Sequence, residues 1–252
     1  MRLDSFLVES HKYKSRNKAS EAIARGVIYV NGKICTKSSF LVTEKDLIEI
    51  RENTAPFVSI GGDKLNRAIL KIKPEIENKV FIDVGASTGG FTDCLLRYNA
   101  KKVYCVDVGE NLLDPSLVEN ERVVVMDRTN ARYLTKDNFE DKIDGIVVDC
   151  SFISLEYILP TIVPLLSQNG YILALIKPQF ELKERVKLKN GILKNVDERN
   201  KILKRLFEFS ITQELVPKAM TCVTIDTKKN LEYIFYMSKQ GDLVPFDKIM
   251  IE

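Results

Sequence analysis

Phe81-Ile-Asp-Val-Gly-Ala-Ser-Thr-Gly-Gly-Phe91 is the stretch whose reading decides the fold of this 252-residue chain. The apolar run Val80 to Val84 reads as a strand with one acid, Asp83, near its end. A loop with Gly85, Gly89 and Gly90 follows at once, and Phe91 to Arg97 continues as a helix. Strand, glycine loop and helix bring backbone close to a nucleotide-like ligand. Glycine suits such a loop because it has no Cβ and tolerates positive φ. The spacing is not the dinucleotide fingerprint, because Ser87 stands where that pattern needs its second glycine.

Outward from this stretch, strands and helices alternate. Val103 to Val106 ends at Asp107, Val123 to Met126 at Asp127, Ile146 to Val148 at Asp149, and Tyr171 to Ile176 at Lys177. Near-continuous apolar runs of this length suit parallel strands covered on both faces. Helices are expected at Leu65 to Ile72, Phe91 to Arg97, Leu155 to Leu166 and Asp197 to Glu208. Parallel α/β sheets bind ligands at the carboxyl ends of their strands, and four successive runs carry an ionisable residue there. An acid before the first glycine, with no phosphate cradle, fits S-adenosylmethionine.

The amino-terminal part reads differently. Residues 1–51 hold ten Lys/Arg against six Asp/Glu, whereas the remainder holds 28 against 29. A basic head on a near-neutral body suggests a nucleic-acid surface. Ser15 reads as the N-cap of a helix from Arg16 to Arg25 that buries Ala19, Ala22 and Ile23, with Gly26 as its C-cap. Val27 to Val30 and Leu47 to Ile50 read as strands, and Asn31-Gly32 as a tight turn. Arg51 to Pro56 is polar and reads as a linker.

Composition excludes several classes. No apolar run approaches the ~18 residues of a membrane helix. Asp4 and Glu9 interrupt any secretory core, so a cytoplasmic protein is expected. Five cysteines without a C-x-x-C pair and a single histidine, His11, argue against a disulfide framework and against a metal site. His11 also leaves little room for a Ser-His-Asp or Cys-His mechanism.

Residues 2 to 50, with Ser15-Arg-x-x-Ala19 and Gly26-x-x-x-Val-Asn-Gly32, resemble the S4 RNA-binding domain. The resemblance implies RNA contacts from Arg2, Arg16, Lys18, Arg25 and Lys37. Farther along, D-V-G-A-S-T-G-G-F-T-D-C-L-L, V-Y-C-V-D-V-G, R-T-N-A-R, V-V-D-C-S-F-I-S-L and I-K-P-Q-F-E resemble the TlyA family. That family pairs an S4 domain with an FtsJ-like methyltransferase. The resemblance implies an α/β fold: a Rossmann-like class I methyltransferase sheet behind a small N-terminal α+β S4 domain. It also implies an S4-like domain at 1–50, a linker at 51–60 and the methyltransferase at 61–252. The implied activity is S-adenosylmethionine-dependent 2′-O-methylation of a ribosomal RNA cytidine. Short termini resemble the compact subtype that acts on large-subunit rRNA. The implied partners are rRNA or a ribosomal subunit, with no membrane and no metal, and a monomer is expected.

FtsJ-type members use a Lys-Asp-Lys-Glu tetrad, which matches Lys64, Asp149, Lys177 and Glu232 here. Burial or a neighbouring cation loosens a lysine's proton and carboxylates hold it. The sequence leaves that balance open. The two acids are read as orienting the lysines, while Lys177 accepts or relays the ribose proton. The cofactor residues implied are Asp83, Gly85, Ala86, Ser87, Thr88, Gly89 and Gly90 around the methionine portion, Asp107 at the ribose, and Asp127 at the adenine or supporting its loop. Glu110-Asn-Leu-Leu113 and Asp127 depart from the family's usual residues. Two other readings stand beside this one: an RNA-binding assembly factor with a vestigial cofactor fold, and a membrane-acting hemolysin, a label the family has carried.

Overall fold

The computed structural model describes residues 1–24, 27–35, 37–43, 45–50, 57–183, 188, 191–225 and 229–251. The chain divides into two compact units, Met1–Pro56 and Phe57–Glu252. Arg25, the Gly26 cap and the linker residues 51–56 lie outside the described residues.

The first unit has helices α1 (Leu3–Glu9) and α2 (Arg16–Ala24). Its small antiparallel sheet runs β2-β1-β3, from β1 (Ile28–Val30), β2 (Lys33–Ile34) and β3 (Ile48–Ile50). Ser15 Oγ accepts the Lys18 N–H at 3.3 Å, as an N-cap does. Asn31 and Gly32 both hold positive φ, 50° and 75°, which sets the twist of a two-residue hairpin between Val30 and Lys33. Leu3, Leu7, Ala19, Ile23, Ile28 and Val42 form its core.

The second unit is a seven-stranded sheet. In chain order its strands are β4 (Val80–Val84), β5 (Lys102–Val106), β6 (Val123–Met126), β7 (Ile143–Val148), β8 (Leu166–Ile176), β9 (Val216–Cys222) and β10 (Tyr233–Ser238). The spatial order is β6-β5-β4-β7-β8-β10-β9. The first five pair in parallel, whereas β10 runs antiparallel to both β8 and β9. This is the Rossmann-like α/β sheet that the sequence predicts, with a mixed edge that it does not. Pro217 in β9 masks that strand; it is tolerated at a sheet edge beside the register shift at Tyr236/Met237.

Alternation along each strand feeds two cores. Phe81, Val103, Val147 and Leu173 face one side, with Leu65, Ala68 and Leu95 from α3 (Ile60–Ile72) and α4 (Gly90–Arg97). Ile82, Tyr104, Ile146 and Ile172 face the other, with Ile202, Leu206 and Phe207 of α7 (Val196–Thr212). Each fully buried side chain of this size contributes ~1.5–3 kcal/mol. Two short helices, α5 (Pro115–Val118) and α6 (Leu159–Ile162), complete the unit.

Two expectations are corrected. Leu155 to Leu166 is not one helix: a 3₁₀ turn at Leu155–Tyr157, α6, and a second 3₁₀ turn at Val163–Leu165 replace it. Pro160 and Pro164 remove helical donors and crowd the preceding turn. Residues 57–60, expected in the linker, belong to the second unit. Phe57 and Val58 pack on its core, the Val58 N–H donates to Asp93 at 2.9 Å, and Ile60 begins α3.

Candidate active site

The chain order reverses between β4 and β7: β5 and β6 extend the sheet to one side of β4, and β7 returns to the other. Ligands bind such sheets at this switch point, outside the carboxyl ends of the strands. Gly85 follows β4 and Asp149 follows β7, and the Asp149 N–H donates to Val84 O at 3.0 Å. The two positions are therefore neighbours by topology.

Two cavities meet there. A cleft of about 1090 Å³ is lined by Gly85, Ser87, Asp107, Val108, Leu112 and Asp149, among others. A smaller one, about 270 Å³, is lined by Lys64, Asp83, Gly85, Asp149, Ser151 and Lys177, among others. Gly85, Ser87, Asp149 and Ser151 border both.

Four charged residues from distant parts of the chain form two ion pairs. Lys64 on α3 meets Glu232 at 2.6 Å, both largely shielded from solvent. Glu232 is held by its own backbone: its N–H donates to Thr224 Oγ1 at 2.7 Å and its carbonyl accepts from Val223. Lys177 pairs with Asp149 and donates to Ser151 Oγ at 2.9 Å. Among the described residues, Asp149 Oδ1 has no hydrogen-bond partner beyond this ion contact. Lys64, Asp149 and Lys177 line the smaller cavity together, and Glu232 joins them through Lys64.

The glycine loop needs its glycines where it touches other backbone. Gly85 holds φ 81°, and a Cβ there would lie 2.7 Å from Asp149 O. Gly90 opens α4 with no room for a side chain: its Cβ would stand 2.2 Å from Ser59 Oγ and 2.8 Å from Gly62 N. The α3 terminus that carries Lys64 thus packs directly on the loop. Thr88 is exposed, and its carbonyl accepts the Asp114 N–H at 3.3 Å.

The acids differ in their surroundings. Asp83 is fully buried; Oδ2 accepts from the Thr92 N–H at 3.0 Å and its hydroxyl at 2.7 Å, while Oδ1 has no partner among the described residues. Burial, offset in part by Thr92 and reinforced by Asp149, pushes its carboxyl up to about 7. Asp107 accepts from Ser87 N–H and Gly109 N–H, both at 2.8 Å, and still lines the larger cleft. Asp127 accepts from the Asn111 N–H at 2.9 Å and is not among the cleft-lining residues. Cys150 borders the cleft, but burial first and Asp149 second push its thiol up to about 12, so it offers no thiolate. Among the described residues no group of three or more His, Cys, Asp or Glu side chains is placed to hold a metal.

Residues 57–237 match the FtsJ-like methyltransferase family, and residues 1–48 match the S4 domain. Hemolysin A of Brachyspira hyodysenteriae is 41% identical over 81% of this chain and 85% of its own length. The 16S/23S rRNA (cytidine-2′-O)-methyltransferase TlyA of Mycobacterium tuberculosis is 38% identical over 72% and 68%. The 23S rRNA (cytidine-2′-O)-methyltransferase TlyA of Campylobacter jejuni is 34% identical over 95% of this chain and all of its own length. The chain belongs to the TlyA family.

A methyltransferase of this family implies S-adenosylmethionine, and the site's chemistry suits it. Asp83, whose buried Oδ1 has no partner among the described residues, borders the smaller cavity, and a strand-end acid borders the adjoining cleft beside Val108 and Leu112. In the S4 unit, Arg2 and Arg16 converge on Asp4, Lys37 is exposed on the next loop, and Lys18 is exposed on α2.

Sequence reading misses three residues of the site. Ser151 receives Lys177. Glu181, buried, accepts from Ser154 Oγ at 2.5 Å and Leu155 N–H at 3.0 Å, tying the loop after β7 to the loop after β8. Phe152 is 88% exposed at φ 66°, its ring 4.8 Å from Phe180. The motifs V-V-D-C-S-F and K-P-Q-F-E carry all three, but only as letters beside the acid and the lysine.

Proposed function

We propose that this chain methylates the 2′-hydroxyl of a cytidine ribose in ribosomal RNA, with the large-subunit 23S rRNA as its target. The observation that carries the reading is the single cavity bordered by Lys64, Asp149 and Lys177 beside the glycine loop. The names of the Campylobacter and Mycobacterium relatives support the substrate, and the full-length match to the Campylobacter protein supports the large subunit.

S-adenosylmethionine supplies a methyl group activated on a sulfonium. Asp83 Oδ1 would take its ammonium and Asp107 its ribose hydroxyls, and Gly85 would let the backbone approach; Asp127 supports the loop at Asn111. Ion pairing with Glu232 and Asp149 fixes the two lysines, so that much of the acceleration comes from holding the ribose oxygen in line. The bound donor would give its methyl carbon to the ribose 2′-oxygen and keep the carbon–sulfur electrons on sulfur. The hydroxyl proton passes to Lys177 Nζ. For Nζ to receive it, an ammonium proton is first released to solvent water by way of the Asp149 carboxylate that Lys177 contacts.

Cofactor binding is expected to depend on pH through Asp83. Only the carboxylate attracts an ammonium, and in the ligand-free protein it titrates at about 7. Affinity for S-adenosylhomocysteine should therefore rise roughly fivefold to tenfold from pH 6 to pH 7.5. Titration calorimetry on Asp83→Asn should give weak, flat binding; an unchanged profile would remove Asp83 from the site. The same shift makes the ligand-free fold lose stability as pH rises towards 7, because the folded state holds this proton more tightly than the unfolded chain does.

Phe152 serves the acceptor side in this reading. An exposed aromatic held at positive φ stores backbone strain, as recognition sites do, and offers a face to a nucleobase. Phe152→Ala should raise KM for RNA about tenfold with cofactor affinity unchanged, whereas equal loss of both would make it a structural residue.

Labelled methyl transfer to purified large and small subunits from cells lacking the protein tests the assignment. Incorporation into the large subunit alone supports it; incorporation into both corrects the target, and none ends it. The hemolysin name of the Brachyspira relative predicts liposome leakage instead. Among the described residues no helix is long and apolar enough to cross a membrane.

A further inference from the structure

Asp4 is an acid where a basic face is expected. It sits in the first turn of α1 and is 2% exposed. Arg2 Nε and Nη2 donate to its two oxygens, at 3.0 Å each, and Arg16 Nη2 donates to Oδ2 at 2.9 Å. The Ser5 N–H donates to Oδ1 at 2.9 Å. Each oxygen therefore accepts twice, which fills the carboxylate's acceptor capacity. Charge-assisted bonds from both guanidiniums hold the carboxyl well below the usual carboxylate range. The Asp4 N–H also donates to Ser38 O, which places the turn carrying Lys37 against the same residue.

The arginines remain on the surface, with side chains 47% and 59% exposed. Arg2 caps α1 and Arg16 opens α2, fourteen residues apart in the chain, and one buried carboxylate fixes both. An unsupported arginine gives up rotamer freedom when it grips a phosphate; one already fixed gives up much less. Two of the five N–H groups of Arg2 point inward to Asp4, leaving the rest of its planar fork for an outside oxyanion.

We propose that Asp4 is a positioning residue for RNA binding, holding Arg2 and Arg16 as a prearranged two-guanidinium clamp for backbone phosphates. The proposal rests on the rRNA reading above. It makes an unusual claim: removing a negative charge from an RNA-binding surface weakens RNA binding. Simple electrostatics gives the opposite sign, because loss of an acid beside phosphates tightens binding.

The test measures full-length protein binding to purified ribosomal subunits across a salt series. Asp4→Asn should bind about tenfold more weakly at fixed salt, and its log–log salt slope should be shallower by about one to two as phosphate contacts are lost. Equal or tighter binding, with an unchanged melting temperature, overturns the proposal. Should Asp4→Asn melt early, Arg2→Lys with Arg16→Lys decides: it keeps the charge but not the fork, and unchanged affinity overturns the clamp. Arg2→Met with Arg16→Met must itself weaken binding; if it does not, this surface does not bind rRNA and the proposal falls with that reading. If it does, Asp4→Asn added to that background should no longer weaken binding. A further loss there would show a structural role for Asp4 and also overturn the proposal.

Discussion

Replacing Lys177 with alanine is expected to leave cofactor binding intact and to slow methyl transfer by roughly 10²–10⁴-fold, the range for losing a positioned proton acceptor. The side chain borders the smaller cavity, pairs with Asp149 and donates to Ser151. Asp83 and Asp107, the acids assigned to the cofactor, touch neither end of that pair in any hydrogen bond. The alanine variant also leaves Asp149 without its cation. Lys177→Arg separates the two effects, since it keeps the positive charge but cannot give up its proton at any working pH. Single-turnover rates with saturating S-adenosylmethionine should fall for both variants. A fully active arginine variant would make Lys177 an electrostatic clamp and move the proton elsewhere.

Gly85→Ala is expected to cost the second unit ~2–5 kcal/mol, from a left-handed conformation that alanine resists and from overpacking. The added Cβ meets the Asp149 carbonyl oxygen at 2.7 Å, its carbon at 3.1 Å and Cys150 Sγ at 3.3 Å. Two of these are backbone atoms. They cannot recede without loosening the Asp149 N–H to Val84 O bond that joins the ends of β7 and β4. Thermal unfolding should drop by roughly 5–15 °C, and S-adenosylhomocysteine should no longer raise it. Gly191→Ala is the control. It has a similar φ of 70° but, among the described residues, nothing within 4 Å of its Cβ, so it should cost only ~1 kcal/mol. Equal melting temperatures for the two variants would show that close approach at Gly85 matters little.

These sites divide along a line that also separates what the sequence discloses from what it hides. Asp107, Asp149 and Lys177 were legible because a parallel sheet places one strand end after another along the same edge, and each apolar run stops at its charged residue. The near-continuous apolar runs likewise point to a sheet covered on both faces. The pairing of Lys64 with Glu232 was not legible from pattern, since it joins residues 168 apart through a strand order that the chain does not spell out. Only the family's motifs brought them together. The antiparallel edge of β10 and β9 was hidden for the same reason, because strand composition carries no direction. Pro160 and Pro164 were visible, but the apolar periodicity around them outweighed them in the reading and yielded a helix where three short turns stand. Asp4 reads as an ordinary first-turn acid until its two arginines are seen together.

The most direct measurement compares 2′-O-methylated nucleotides, position by position, in rRNA from cells with the protein, without it, and complemented with Lys177→Arg. One cytidine of the large-subunit rRNA should carry the modification only with the intact protein, and should lose it in both other strains. Identical methylation in all three would contradict the account, whatever the cavity between Lys64 and Lys177 looks like.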